Sequence, residues 1–440
     1  MSCYRQRGQA LVLGIFVVFA SLLALFYLFN VGQLTGERVK LVNTADAVAY
    51  SAGLLEARGM NFDAYQNRAL IANEVTIAQM VSLSSWAQYA SEIGVYLPLQ
   101  FLAPYCYEPF FGGMVRTLAL CEMLRFAGWV YVDAADYIRA AAEAVAEVSE
   151  VVKLTIKLSQ ETMRGALPAA RLALMDQVAA ENYKGYGSVR VEAIPLENTL
   201  ASMTRRYVKD GNNGDERGRL GELAKTAAAN DRFVRSRSWT DPSPWPSCFG
   251  SGGFAYNELQ RRGGTEMVGY DEWRATDAMS MHRKYLGKGF TCKDAVAPVG
   301  AGSQSAANQE SGADADSDSW AYSGIADFDE LTDAALKDPD PRARFPVRLI
   351  RDKAQTRTSE TSSPIKASGD LAVYKAQEAN DVIAATSTAE VFFQRPAPRA
   401  DGMQELGSLF NPFWQVHLVA NSGPVRTYAT GRQGAAPLPE

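Results

Sequence analysis

ALVLGIFVVFASLLALFYLFNV, residues 10–31, is an unbroken apolar run with no charge and no proline. At about 1.5 Å of rise per helical residue it reaches roughly 30 Å, the thickness of a bilayer's hydrocarbon core. A cleavable signal peptide has a shorter apolar core followed by a small-x-small cleavage site. Here the run passes straight into Gly32-Gln33-Leu34-Thr35 with helical character intact. The reading is a transmembrane helix at residues 10–31 behind a tail at residues 1–9. That tail holds Arg5 and Arg7 before the span and no acidic residue, whereas Glu37 partly offsets Arg38 and Lys40 beyond it. Positive residues flanking a first span stay cytoplasmic, so the tail is expected inside and the body outside.

Cysteine usage fits an exported body. Cys3 falls in the tail, leaving Cys106, Cys121, Cys248 and Cys292 beyond the span. An even number in a disulfide-permissive compartment suggests bridges, with the sequence-local pairings Cys106–Cys121 and Cys248–Cys292 preferred. Unpaired buried thiols are the alternative. No Cys-x-x-Cys spacing occurs, which leaves a zinc ribbon or a thioredoxin-like motif without support.

The chain has 440 residues, is 47% hydrophobic and 21% charged, and carries a formal net charge of -5. This supplies one large or two modest cores beyond the span. A mildly acidic balance offers no electrostatic footprint for nucleic acid. Only His282 and His417 occur, so a multi-histidine metal site is excluded in practice and no cofactor is expected.

From Gln33 to about Tyr96 no proline interrupts a helix-favouring sequence. Gly59-Met60-Asn61 reads as a break, with Asn61 as N-cap of a second helix. Pro98, Pro104, Pro109, Gly112 and Gly113 mark a loop, and a second long helix follows to Asn182. Within it Ile138, Val145 and Val152 interleave with Ala141, Val148 and Thr155 in an a/d-like seam. That seam suits an antiparallel hairpin within the chain or a coiled coil between chains. Pro168 is expected to kink or end the helix. The helical exported region therefore covers residues 32–185.

Residues 186–422 read as a mixed α+β exported region. Residues 188–196 alternate like a strand, residues 215–237 form a charged helix, and short β-like runs recur at 345–350, 371–375 and 390–394. Residues 300–319, dominated by Ala, Ser, Gly and Asp, read as a mobile loop, and residues 423–440 as a disordered tail. The fold class expected is α+β: a transmembrane helix continuing into a long helical stalk or hairpin, then mixed α+β.

Catalytic signatures are weak. Asp314-x-Asp316-x-Asp318 begins like a calcium loop but lacks glycine at its sixth position and glutamate at its twelfth. No Gly-x-Ser-x-Gly, Walker A or His-Glu-x-x-His pattern is present. Glu266, Asp271, Glu272, Asp277 and His282 surround Tyr270 and Trp273, as the carboxyls of a hydrolase do, or as a surface loop on aromatic anchors does. The chain is expected not to be an enzyme, with an anchored hydrolase of the cell envelope as alternative.

The N-terminal pattern, Arg5-Gln6-Arg7-Gly8-Gln9 before the apolar helix and Arg38-Val39-Lys40-Leu41-Val42-Asn43-Thr44-Ala45-Asp46-Ala47 after it, resembles the TadE/TadG-like group of Flp (tight-adherence, type IVc) pilus assembly. Gly263 to His282 and Ala389 to Val419 resemble segments of larger members more weakly. The resemblance implies a minor pilin-like or platform component in the bacterial inner membrane, single-pass, with a periplasmic body active in adhesion or secretion. Its partners would be the membrane and other pilin-like or platform proteins, with no nucleic acid, and a homo-oligomer through helices is a further candidate. Asn43 and Asp46 are the candidate polar contacts of the first helix beyond the span, with a solvated helix face as the alternative. Prepilin-type cleavage between Gly8 and Gln9 would put Leu13 fifth in the mature chain, where processed pilins carry glutamate, so an uncut anchor is expected.

Overall fold

The computed structural model describes residues 9–97, 114–196, 200–212, 214–242, 258–286, 292–308, 318–352, 355–356 and 382–433. The fold is α+β. Two helices dominate, α1 (Gln9–Leu97) and α2 (Met114–Asn182). Shorter elements follow: β1 (Arg190–Ala193), α3 (Leu200–Met203), β2 (Thr204–Tyr207), α4 (Gly218–Asn230), β3 (Trp239–Pro242), β4 (Glu258–Val268), β5 (Glu272–Leu286) and β6 (Cys292–Ala307). The chain ends through β7 (Trp320–Ala321), β8 (Phe328–Leu331), α5 (Asp333–Lys337), β9 (Arg342–Asp352), β10 (Val382–Phe393), β11 (Trp414–Val419) and α6 (Gly423–Gly431).

The chain divides into two interleaved units. One holds residues 1–64, 162–205 and 330–440; the other holds 65–161 and 206–329. In the first unit β1, β9, β10 and β11 form an antiparallel sheet in the order β1-β9-β10-β11. One side of α1, with Leu41, Ala45, Val48, Ala49 and Ala52, packs with Val347, Leu349, Ile383 and Ala389 of the sheet and with Met175 and Tyr183 of the α2 end. The small residues at 45, 49 and 52 let helix and sheet approach closely. A Cβ at Gly53 would lie 2.7 Å from Val416.

Within the second unit the order is β3-β4-β5-β6-β7, antiparallel except for β6 with β7. In each unit α1 and α2 run antiparallel. Arg171 Nη1 reaches Glu56 Oε1 at 3.0 Å in the first, while Gln160 Nε2 donates to Asn67 Oδ1 at 2.9 Å and Lys153 pairs with Glu74 at 2.6 Å in the second.

Several local expectations are corrected. Gly59-Met60-Asn61 does not break α1, because those residues serve packing. A Cβ on Gly59 would meet Leu167 at 3.2 Å, and Met60 is buried. Asn61 is no cap: its side chain donates to Trp414 O and accepts from Trp414 N, both at 2.9 Å, as a β-strand partner would. Of the two outcomes expected at Pro168, a kink or a helix end, the end does not occur: Pro168 lies inside α2. The missing bond costs about 3 kcal/mol, which the flanking contacts of Leu167 and Arg171 with α1 help to offset. Residues 300–307 of the expected mobile loop form the second half of β6, and 423–431 of the expected disordered tail form α6, capped by Ser422 accepting from Val425 N. Residues 309–317 and 371–375 lie outside the described residues.

Burial pushes the Glu56 carboxyl up from 4.5 to about 7, against the pull of Arg171. Its Oε2 has no hydrogen-bond donor among the described residues. A carboxyl whose native pKa is raised contributes stability fully present below pH 4.5 and lost as pH climbs through about 7. The span corresponds to about 3 kcal/mol at most. Melting temperature is therefore expected to fall between pH 5 and pH 8, and Glu56→Gln to flatten that slope. An unchanged slope in the variant would show that another group carries it.

Candidate interaction site on the N-terminal helix

From Ala10 onward α1 carries two distinct faces. The apolar residues of the 10–31 stretch are exposed almost throughout, and this part of the helix is long and apolar enough to cross a membrane by length and composition. Beyond it one side turns into the core of the first unit. Glu37 fixes the rotation there: its Oε1 lies 2.9 Å from Nε of Arg351, whose guanidinium is buried and also donates to Tyr186 O at 2.6 Å. The Tyr183 ring stacks on that guanidinium, and the Lys40 ammonium sits 3.2 Å from the Tyr186 ring centre.

With the rotation set, the opposite side of α1 is open. Gly32, Gly36, Val39, Asn43, Asp46 and Tyr50 follow one another at alternating steps of four and three, so they share one face. All are exposed except Asp46, which is half-buried. A Cβ at Gly32 or Gly36 would meet nothing within 4 Å. The same steps run backward through Phe29, Leu25, Leu22, Val18, Ile15 and Leu11, each exposed. A single seam thus extends from the apolar stretch into the body. Glycines four apart, here just past the 10–31 span, let two helix backbones approach closely. Sequence reasoning named Asn43 and Asp46, which the structure places on this face; the seam's steps were legible too, but only the burial of Leu41, Ala45 and Ala49 shows which side stays open.

That seam lies almost wholly within residues 8–58, which match the Flp pilus-assembly TadE/G-like family model. The chain carries a TadE/G-like segment. No curated protein and no solved structure matches it. Gly8, at which the TadE/G-like match begins, lies outside the described residues, and Gln9 opens α1. Cys106 and Cys248 also lie outside them, while Cys121 falls on α2 and Cys292 opens β6.

The carboxyls weighed for an enzyme are dispersed. Asp277 is buried, gripped by Arg237 at 2.6 Å and Arg261 at 3.2 Å and accepting from Ser85 at 2.9 Å. Glu272 pairs with Arg274 at 2.8 Å, Asp271 with Arg217 and Lys209, and Glu266 is exposed. A groove of about 880 Å³ in the second unit is lined by Lys153, Lys157, Lys209, Arg217, Asp271 and Asp327 among others. Most of its charges pair within it: Lys157 with Asp327 at 2.9 Å, and Arg217 and Lys209 with Asp271 at 3.2 and 3.3 Å. Burial works to raise the Asp215 carboxyl pKa, but the hydrogen bonds from Arg217 hold it below its ordinary value. Such a groove is an ion-pair network rather than a charged receptor. Among the described residues no group of three or more His, Cys, Asp or Glu is placed to hold a metal.

One cluster was missed by sequence reasoning. Ser280 Oγ lies 3.1 Å from His282 Nε2, and His282 Nδ1 lies 2.9 Å from Asp294 Oδ2. Asp294 pairs with Lys284 across the β5–β6 ladder, which brings it to the same sheet face as His282. Only the register, absent from the sequence, reveals it.

Proposed function

We propose that this chain is a membrane-anchored, pilin-like or platform component of Flp (tight-adherence) pilus assembly, acting through protein–protein contacts. The tail lies in the cytoplasm and the body in the periplasm. The observation that carries the reading is the coincidence of the TadE/G-like match with the open seam of α1. Span and seam meet other pilin-like or platform helices, with Gly32 and Gly36 setting the distance and Asn43 and Asp46 the register.

A strain lacking the chain is expected to lose surface fibres and adhesion, with both restored by the intact chain. A Gly32→Leu, Gly36→Leu double variant, present in the membrane at normal level, is expected to restore less than a tenth of the fibres. Normal fibre counts in the deletion strain sink the pilus reading.

The Ser280–His282–Asp294 chain favours a second reading, an anchored hydrolase of the cell envelope, since serine, imidazole and carboxylate stand at the distances nucleophilic catalysis uses. It ranks lower because any Ser-x-His on one strand face sets these two side chains side by side. Fluorophosphonate labelling of the full chain that is lost in Ser280→Ala and reduced in Asp294→Asn would bring this reading forward. The expected result is no labelling.

A further inference from the structure

The seam expected on α2 is present but is not the one the fold buries. In the second unit α2 turns Ala142, Ala146, Ser149, Lys153 and Ile156 inward. The valines face out: Val148 and Val151 are 62% and 64% exposed, Tyr137 78%, with Val145 and Val152 also exposed. In heptad terms Ile138, Val145 and Val152 occupy a and Val148 lies at d, while Tyr137 and Val151 lie at g. No a, d or g position from Tyr137 to Thr155 carries a charge. A contiguous apolar stripe of this kind is rare on a monomer and marks an interface.

We propose that this stripe is the pairing surface for a second copy of the same chain. β-Branched residues at a favour two-stranded coiled coils when Leu stands at d; here d carries Ala141, Val148 and Thr155, so the stripe marks the contact face rather than a leucine-zipper seam. Charged g and e residues ordinarily set partner choice. Here g is apolar from Tyr137 to Val151 and e is turned into the body, so two identical stripes meet without like-charge repulsion. A shared membrane anchor gives every copy one orientation, so two copies meet about a two-fold axis along the membrane normal. The stripe is about 28 Å long and roughly a helix wide, a few hundred Å² per copy. That falls short of the roughly 800 Å² per partner of a standard interface. Pairing is therefore a property of anchored copies, whose confinement raises their effective concentration. The inference rests on the anchor and not on the pilus reading.

Two differently tagged full-length copies are co-expressed in one membrane with a photo-crosslinking residue at position 152. The expected product has twice the chain mass and carries both tags. Val148→Glu with Val151→Glu should reduce it at least tenfold without changing the circular dichroism spectrum, because both side chains face solvent. The same probe at position 143, on another side of α2, should give no such product. Crosslinks only to a different protein, no crosslink, or a dimer that survives the glutamates would each overturn the proposal. Fibre counts do not enter the readout, so the pilus reading can fail while this one stands.

Discussion

Glu74→Ala is expected to destabilise the second unit by about 3–5 kcal/mol, the cost of stripping one member from a buried ionic cluster. Glu74 Oε2 accepts from Trp273 Nε1 at 3.0 Å and from Tyr322 OH at 2.7 Å, while Oε1 pairs with Lys153 Nζ at 2.6 Å. Lys153 is itself buried, held also by Glu150 at 2.8 Å and by Gly324 O at 2.8 Å, over the Tyr322 ring. Burial, with the Glu74 charge beside it, pushes the Tyr322 phenol well above its ordinary value, so it remains a donor at any physiological pH. Alanine would leave an indole N–H, a phenol and an ammonium short of their acceptor in a dry interior. Glu74→Gln keeps an acceptor for the two aromatics and should lose less. Denaturant unfolding of the full chain in detergent checks both, and a loss below about 1 kcal/mol for alanine would mean the cluster does not carry the unit.

Gly302→Val should be nearly as damaging, at about 3 kcal/mol, the upper end for overpacking, because the obstruction is backbone. A Cβ there would lie 2.1 Å from Ser85 O and 2.6 Å from Tyr89 N. Helix α1 and strand β6 touch main chain to main chain at this point. Gln88 Oε1 accepts from Ser303 N at 2.9 Å, and Ser85 Oγ donates to Gly302 O at 3.1 Å. Ala301→Val, on the exposed side of the same strand, should be close to neutral. Thermal unfolding compares the two. Equal stability for both would refute the close approach.

That contact also explains one misreading of the sequence. Gly300 to Ala307 has the composition of a flexible linker, yet it is strand because small residues are what a helix lying directly on it requires. Composition registers the missing side chains, not the helix that occupies their space. The same confusion touched Gly59, whose missing side chain leaves room for Leu167 rather than breaking α1. Where a signal belongs to one element it was legible. The 10–31 run, the alternation that became β1, β9 and part of β10, and the α+β class were all readable from local pattern. The seam on α2 was legible as a period, but its direction was not. Lys153 sits on the buried side and valines outside because Glu74, Trp273 and Tyr322 come from distant parts of the chain. Ser280, His282 and Asp294 stayed invisible for the same reason.

The interleaving of the two units has a consequence for biogenesis. Neither is a contiguous stretch of sequence: Leu41 finds its neighbours only when Leu349 and Ile383 have been made, and Asn61 waits for Trp414. A ribosome delivers the anchor first and those strands last. Until those strands are made, the part of α1 that packs on the sheet stands uncovered. Vectorial folding, with the N-terminal half finished before the C-terminal half appears, is closed to this chain. The first unit cannot close before Trp414 is made, so a truncation anywhere before that residue should behave as an unfolded protein rather than as a shorter one.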